Sequence, residues 1–298
     1  MAAEGAQALT GRVSGLHFGV VGVTDTERSL DFYRGVLGFE LVGRHPGTGG
    51  RGERCLLASG HRLLALQEVP GGPAGSTWVR DDLQVGMRHI GLKVDDVDRW
   101  AERVRAAGAP LTIEPEDAFG GVRLCFFLDP DGTHLEFIAG TVDYTTVGSP
   151  GLVDRERATP VPASPRFDHV AVSVTELDRA LAFYTGHLGF PILGQLREDN
   201  PARGFTITYL QAGPGVLEVF SFTAPMLANS FDPAAPAPGL LYLGLGAGDV
   251  SAAAARLQAA GGALLAGAGD HGPDSALVTD ADGTPLEVNP APPPALTR

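Results

Sequence analysis

The chain has 298 residues, of which 44% are hydrophobic and 19% are charged, and its formal net charge is −13. These are globular proportions, the length allows two domains with their own cores, and no apolar run reaches the ~20 residues needed to span a bilayer. The negative charge disfavours nucleic acid and anionic membranes, and the N-terminus lacks the apolar core of a secretion signal. We therefore expect a cytoplasmic protein with a small-molecule substrate, no nucleic-acid partner, no membrane partner, and a homodimer as the possible assembly.

Module A (14–70) opens with an apolar, strand-like stretch. The segment Thr24 to Glu27 then has the form of a capping box, which predicts the start of a helix, and Gly38 ends that helix. Further strand-like runs follow, two of them joined at Gly60. The pattern predicts a β-α-β-β-β unit.

Module B (86–142) begins with a strand and has helix signals of its own. Asp96 is the predicted N-cap of its helix, and Gly108 ends it. The last two strands are joined by the tight-turn sequence Asp-Pro-Asp-Gly at 129–132. Module B therefore predicts the same β-α-β-β-β order.

The second half of the chain repeats the first. The run LxFYxGxLGF occurs at 30–39 and again at 181–190, so module C (166–222) repeats module A. Module D (239–290) repeats module B, with Asp249 as its predicted N-cap. Duplication of two kinds of module predicts four structurally related units.

Stretches rich in Gly, Pro and Ser separate the modules at 70–86, 142–166 and 222–239. We therefore divide the chain into an N-terminal domain (14–142), a C-terminal domain (166–290) and a flexible proline-rich tail (291–298). A single β-α-β-β-β sheet leaves one face bare, so modules must pair. The predicted fold class is α+β, with four modules paired into two cup-shaped mixed-sheet units.

These features resemble the vicinal oxygen chelate superfamily, which includes glyoxalase I, methylmalonyl-CoA epimerase, extradiol dioxygenases and bleomycin-binding resistance proteins. The resemblance covers about residues 14–290. It implies that a metal ion sits in the cup. The ion is held by one residue at the start of a module's first strand and by another in its last strand.

We carry these two positions over to each module in turn. The first-strand positions are Phe18 in A, His89 in B, His169 in C and Tyr242 in D. The last-strand positions are Ala65 in A, Glu136 in B, Glu218 in C and Glu287 in D. His17 is one place out of register and would face the other side of its strand, so we do not expect it to be a ligand.

Two ways of pairing the modules remain open. If neighbours pair, the candidate ligands of modules B and C lie in separate cups. If the middle modules pair, one cup holds all four and the other is a degenerate remnant. We favour the second arrangement, which the resemblance to fused glyoxalase I-like chains also implies. The predicted metal ligands are then His89, Glu136, His169 and Glu218.

Two imidazoles and two carboxylates suit one six-coordinate divalent ion, for which nickel, cobalt, zinc, manganese and iron(II) are all compatible. The resemblance implies a metal-dependent isomerase, epimerase or glyoxalase-type lyase acting on a small oxygenated metabolite. Its ion stabilises an enolate-type intermediate as a Lewis acid, while Glu136 or Glu218 moves a proton as the catalytic group.

Two other functions compete with this one. An iron(II) extradiol dioxygenase is the first, but Phe126 stands where that group's signature has a tyrosine, and 117–119 lacks the upstream histidine. A metal-free drug- or metabolite-binding resistance protein is the second. It leaves the paired histidines and glutamates of modules B and C unexplained.

The remaining polar candidates have plainer interpretations. Arg123 interrupts an otherwise apolar strand and is a candidate contact for an anionic substrate group. Five further histidines are predicted to be ordinary surface residues in loops, turns or a helix face: His45, His61, His134, His187 and His271.

Overall fold

A computed structural model describes residues 11–47, 52–60, 62–71, 75–76, 79, 81–161, 163–268, 271 and 274–291. His61 and the predicted tail beyond residue 291 lie outside the described residues.

The strands of modules A and B are β1 (Val13–Val23), β2 (Glu40–His45), β3 (Arg54–Ser59), β4 (Arg62–Glu68), β5 (Gly86–Lys93), β6 (Leu111–Asp117), β7 (Arg123–Leu128) and β8 (His134–Ala139). The later strands are β9 (Thr146–Val147), β10 (Arg166–Ser173), β11 (Ile192–Glu198), β12 (Phe205–Ala212), β13 (Gly215–Phe222), β14 (Gly239–Ala247), β15 (Leu264–Ala266), β16 (Ala276–Thr279) and β17 (Pro285–Pro290). The helices are α1 (Thr26–Leu30, continued in π-helical form over Asp31–Val36), α2 (Val97–Ala106), α3 (Pro150–Ala158), α4 (Leu177–Leu181, continued in π-helical form over Ala182–His187) and α5 (Val250–Ala259).

The helices of modules B and D begin at the predicted caps. The carboxylates of Asp96 and Asp249 each accept a hydrogen bond from a backbone N–H of the first helical turn. Module A differs, because its N-cap is Asp25 and the prediction of Thr24 was wrong. The Thr24 hydroxyl donates instead to Asp131 Oδ1 at 2.5 Å, which ties α1 to the turn between the last two strands of module B.

The strands form two mixed sheets, and each sheet combines one module from either half of the chain. The nine-stranded sheet has the order β6-β7-β8-β5-β10-β13-β12-β11-β9, so modules B and C pair. The eight-stranded sheet has the order β15-β16-β17-β14-β1-β4-β3-β2, so modules D and A pair. Antiparallel pairing of β5 with β10, and of β14 with β1, makes the two junctions. The α+β class and the exchanged pairing are confirmed. The division into domains at 142 and 166 stays a prediction about sequence units.

The segment 142–166, predicted to be a plain linker, contains regular structure. Its short strand β9 pairs antiparallel with β11 and extends the sheet of modules B and C. Helix α3 follows directly and has Pro150 at its first position, where a missing N–H costs nothing. Composition alone does not predict either element, because both are short and are stabilised by contacts with module C.

Buried apolar side chains form one large cluster and two smaller ones. The large cluster takes residues from all four modules, including Leu16, Ile90, Phe167 and Leu243, and therefore joins the two sheets. Each smaller cluster fills one cup. Within the described residues, no helix has the length and apolar character needed to cross a membrane.

Candidate metal centre

The four predicted ligands lie on adjacent strands of the sheet formed by modules B and C. Strand register brings them together: His169 and Glu136 both pair with Gly91, while His89 and Glu218 both pair with Ala171. Their side chains therefore stand in two neighbouring rows across β8, β5, β10 and β13 on the concave face, which we call the B/C cup.

The reactive atoms of these side chains lie close together: those of His89, His169 and Glu218 are all within 4.8 Å of one another, and Glu136 approaches the same two histidines. The two imidazole Nε2 atoms of His89 and His169 are 3.3 Å apart. Glu136 Oε2 lies 2.9 Å from His169 Nε2 and 3.6 Å from His89 Nε2. Glu218 Oε2 lies 3.5 Å from His169 Nε2 and 3.8 Å from His89 Nε2. All four residues are at most 5% exposed.

This donor set fits a divalent ion. Neighbouring ligand atoms around an ion with bonds of about 2.1 Å lie about 3.0 to 3.4 Å apart, close to the observed separations. Glu136 Oε2 is buried and accepts no well-directed hydrogen bond within the described residues, which is costly unless a cation binds there. The two imidazoles point their Nε2 atoms at each other, and a cation bound between them would likewise satisfy both nitrogens.

Burial and mutual charge shift the pKa values of His89, His169 and Glu218. Burial lowers the pKa of His89 well below its ordinary value, and the nearby His169 lowers it further. Burial would also lower the pKa of His169, but Glu218, Asp168 and Glu136 together raise it well above its ordinary value. Burial and the charge of Glu136 raise the pKa of Glu218 to about 8, against the lowering effect of His169. The cluster therefore holds a proton near neutral pH.

Two residues outside the ligand set fix the orientation of His169. Asp168 Oδ2 lies 3.3 Å from His169 Nδ1, which leaves Nε2 facing the cup. Gly91 supplies the space, because a Cβ atom there would lie 2.0 Å from His169 Cε1. Asp168 is itself 3.4 Å from Arg166 Nη2.

The A/D cup, on the concave face of the other sheet, has the same register with different residues. Phe18 pairs with Gly244 as His169 pairs with Gly91, and Tyr242 occupies the place of His89. Ala65 replaces one glutamate, and Glu287 retains the other.

A buried ion pair occupies the place in the A/D cup that corresponds to the candidate metal centre. The Arg54 guanidinium donates two hydrogen bonds of 2.9 Å to the Glu287 carboxylate, and His271 Nε2 lies 2.7 Å from Glu287 Oε1. Burial would raise the pKa of Glu287, but Arg54 and His271 lower it to about 2. A guanidinium thus supplies the positive charge that a metal ion would bring.

Three predictions about polar residues were wrong. His271 is buried against Glu287, and His134 is buried with its ring centroid 6.2 Å from that of His89. Arg123 does not face the cup, because it pairs with Asp98 and Asp117 at the surface. For His134, the signal was its place two residues before Glu136 on the same strand, which puts both on one face.

The chain thus has a duplicated β-α-β-β-β fold with a buried imidazole–carboxylate cluster that is a candidate metal site, and comparison with known proteins gives the family. The model of the Glyoxalase/Bleomycin resistance protein/Dioxygenase superfamily matches residues 15–137 and 166–288. The chain belongs to this superfamily.

Several relatives in this superfamily are curated. Two lactoylglutathione lyases of Arabidopsis thaliana, one described as probable and chloroplastic, are 29% identical over 198 residues and 28% identical over 187. These matches cover 64% and 62% of this chain but 48% and 57% of the relatives, so the chain spans about half of their length. A catechol-2,3-dioxygenase of Bacillus subtilis is 32% identical over 204 residues, covering 60% of this chain and 66% of the relative.

The fold also matches solved structures. The crystal structure of glyoxalase I from Zea mays superposes with a TM-score of 0.63 at 22% identity, over 92% of this chain and 91% of that one. This match shows a common fold.

Proposed function

We propose that the protein is a divalent-metal-dependent enzyme that moves a proton on a small oxygenated metabolite, as an isomerase, an epimerase or a glyoxalase-type lyase. Its metal ligands are His89, Glu136, His169 and Glu218. The convergence of these four buried side chains, within 2.9–3.8 Å of one another's histidine nitrogens, is the observation that carries the proposal.

The chain's own residues would hold the divalent ion, shield the site from water and carry the proton. When bound, a divalent ion acts as a Lewis acid on the substrate's adjacent oxygens and makes a neighbouring C–H bond more acidic. Glu218, a buried carboxylate on β13, is one candidate for the proton carrier. Glu136, whose Oε2 accepts no well-directed hydrogen bond within the described residues, is the second candidate.

The relatives support a lyase of this kind. Lactoylglutathione lyases occur among them in both Arabidopsis thaliana and Neisseria meningitidis, the latter 32% identical over 123 residues. Since each match spans only part of the two proteins, the substrate of those enzymes is not carried over here. A cytoplasmic location stays a prediction from composition.

An iron(II) extradiol dioxygenase is the second candidate, favoured by the relative in Bacillus subtilis. Phe126 weakens this alternative. Its ring stands edge-on to His89 at 5.0 Å between centroids, at the very edge of the metal centre, and offers no hydroxyl for oxygen chemistry.

Metal analysis and isotope exchange together test the proposal. We expect one non-iron divalent ion per chain and metal-dependent exchange of a carbon-bound proton with solvent deuterium, screened across hydroxy- and oxo-metabolites. His169→Ala should remove both. Oxygen consumption with catechols by the iron-loaded protein would favour the dioxygenase, and a protein that binds no ion after reconstitution would refute both enzymes.

A further inference from the structure

Lys93, the single lysine of the chain, is buried. Its residue surface is 6% exposed, and it makes no hydrogen bond or ion pair with any residue that the structure describes. A buried ammonium without a partner is costly, since lost hydration is not replaced. Such a group is a candidate site for an anion from outside the chain.

Strand geometry places Lys93 in the B/C cup. On β5, Ile90, Leu92 and Val94 point into the large core cluster, so alternation directs His89, Gly91 and Lys93 to the concave face. Lys93 pairs with Ile138 of β8, whose side chain belongs to the cluster that fills this cup.

The distance from Lys93 to the metal centre is short. Gly91 marks the row of Glu136 and His169, and Lys93 stands one row further, about 7 Å along the strand. Lys93 also pairs across the junction with Arg166 of β10, three residues before His169. The register alone therefore places Lys93 beside the candidate centre.

The nearby carboxylates already have other partners. Asp168 lies against His169, Arg166 and Arg62, at 3.3, 3.4 and 3.8 Å. Glu156 of α3 accepts a hydrogen bond from the Tyr144 hydroxyl at 3.2 Å. Neither forms an ion pair with Lys93.

Apart from the exposed Arg155, which also lines the cavity here, the charge left over at this end of the cup is a single positive one. Three cationic side chains (Lys93, Arg62 and Arg166) face two anionic ones (Asp168 and Glu156). One uncompensated positive charge matches a monoanion such as a carboxylate better than a phosphate dianion. A cavity of about 340 Å³ lined by Arg62, Arg166, Asp168 and Glu156 opens at the same end.

We propose that Lys93 binds a carboxylate of the substrate, and that the substrate is therefore an acid whose free carboxylate lies a few bonds from the two oxygens that reach the metal. The part of this assignment that concerns the two metal-binding oxygens rests on the proposed function. The anion site depends only on Lys93 and not on the proposed function.

The presence of one lysine gives a direct experiment. Protein grown with [13Cε]lysine shows a single Lys93 signal, which is followed during titration with acetate, the neutral isostere acetamide and inorganic phosphate at constant ionic strength. We expect a saturable shift with acetate and none with acetamide, in metal-free as well as metal-loaded protein. Calorimetric acetate binding should be lost in Lys93→Met and retained in Lys93→Arg, with the metal content of both unchanged.

Three results would overturn the proposal. They are no shift with acetate in either form, a shift confined to the metal-loaded form, and a response to phosphate stronger than that to acetate. A normal acetate response in protein that never binds metal would instead sustain the anion site and sink the proposed reaction.

Discussion

Gly91 and Gly244 occupy the same position in the two sheets, and each faces a ring across an antiparallel junction. An added Cβ at Gly91 would lie 2.0 Å from His169 Cε1, and one at Gly244 would lie 2.3 Å from Phe18 Cε2. The steric cost is of the same kind in both cups, but only one of the two rings is a candidate ligand. Comparing substitutions at these two glycines therefore separates an effect on metal binding from an effect on packing.

We predict that Gly91→Ala weakens metal binding by at least about 100-fold, because His169 must leave its position, whereas second-layer changes typically cost about 10- to 100-fold. Gly244→Ala should lower the thermal midpoint comparably and leave metal affinity unchanged. Metal titration of both variants, beside their melting curves, is the measurement. Equal loss of metal affinity in the two variants would show that the displacement of His169 is not the cause of that loss.

The buried ion pair of the A/D cup makes stability depend on pH. Because Arg54 and His271 hold the pKa of Glu287 at about 2, below its ordinary value of 4.5, ionised Glu287 stabilises the fold. A lowered pKa gives stabilisation that is present above pH 4.5 and lost as the pH falls from 4.5 towards 2, by about 3 kcal/mol in full.

We predict that the double variant Arg54→Met/Glu287→Gln loses less unfolding free energy than the wild type when the pH falls from 5 to 3. The double change avoids leaving one buried charge without its partner. Denaturant unfolding at several pH values measures the difference, and the chosen window lies below the ordinary titration of histidine. Parallel curves for the two proteins would mean that Glu287 is not a stabilising anion.

At the scale of elements, β9 and α3 cover the B/C cup. The Tyr144 ring packs edge-on against Tyr209 at 5.2 Å, and Tyr209 pairs with Glu218. Leu152 of α3 packs against the same cup cluster. The metal centre is therefore shielded by the segment that joins the two halves of the chain.

We predict that Tyr144→Ala increases the opening of this cover. Loss of the half-buried ring costs about 1.5 kcal/mol, which raises the open population roughly tenfold. Amides of α3 should exchange with deuterium about that much faster, while those of β10 stay protected. Val147→Ala changes an exposed side chain in the same segment and is the control. Unchanged exchange in Tyr144→Ala would show that the ring does not anchor the cover.

The elements that the sequence predicts well are those whose signals are local. For the repeated helix runs, the caps at Asp96 and Asp249 and the turn at 129–132, the residues that favour each structure lie within the element itself. Helix α3 and the buried state of His271 depend on distant parts of the chain, such as Glu287 for His271, so no local pattern reveals them. The burial of His134 did have a local signal, its place two residues before Glu136 on β8. The exchanged pairing could be inferred only because duplication made the loss of ligands in modules A and D visible.

At the scale of the whole molecule, the B/C cup draws two candidate ligands from each half of the chain, and the large core cluster joins both sheets. A ligand that binds only the folded state stabilises it, by about 2.7 kcal/mol at a concentration one hundred times its dissociation constant. Because the sheets share a core, this stabilisation should reach the A/D sheet, which has no comparable metal site in the described residues.

We therefore predict one calorimetric unfolding transition that moves upward as a whole when a divalent ion is added, with saturation at one ion per chain. His89→Ala and His169→Ala, one from each half, should each abolish the shift. Glu287→Gln should lower the starting midpoint but keep both the shift and the stoichiometry, because its carboxylate serves Arg54 and not a metal. Two transitions, only one of which responds to the ion, would show that the sheets unfold independently. A second equivalent of bound ion, lost in Glu287→Gln, would show that the A/D cup had kept its metal.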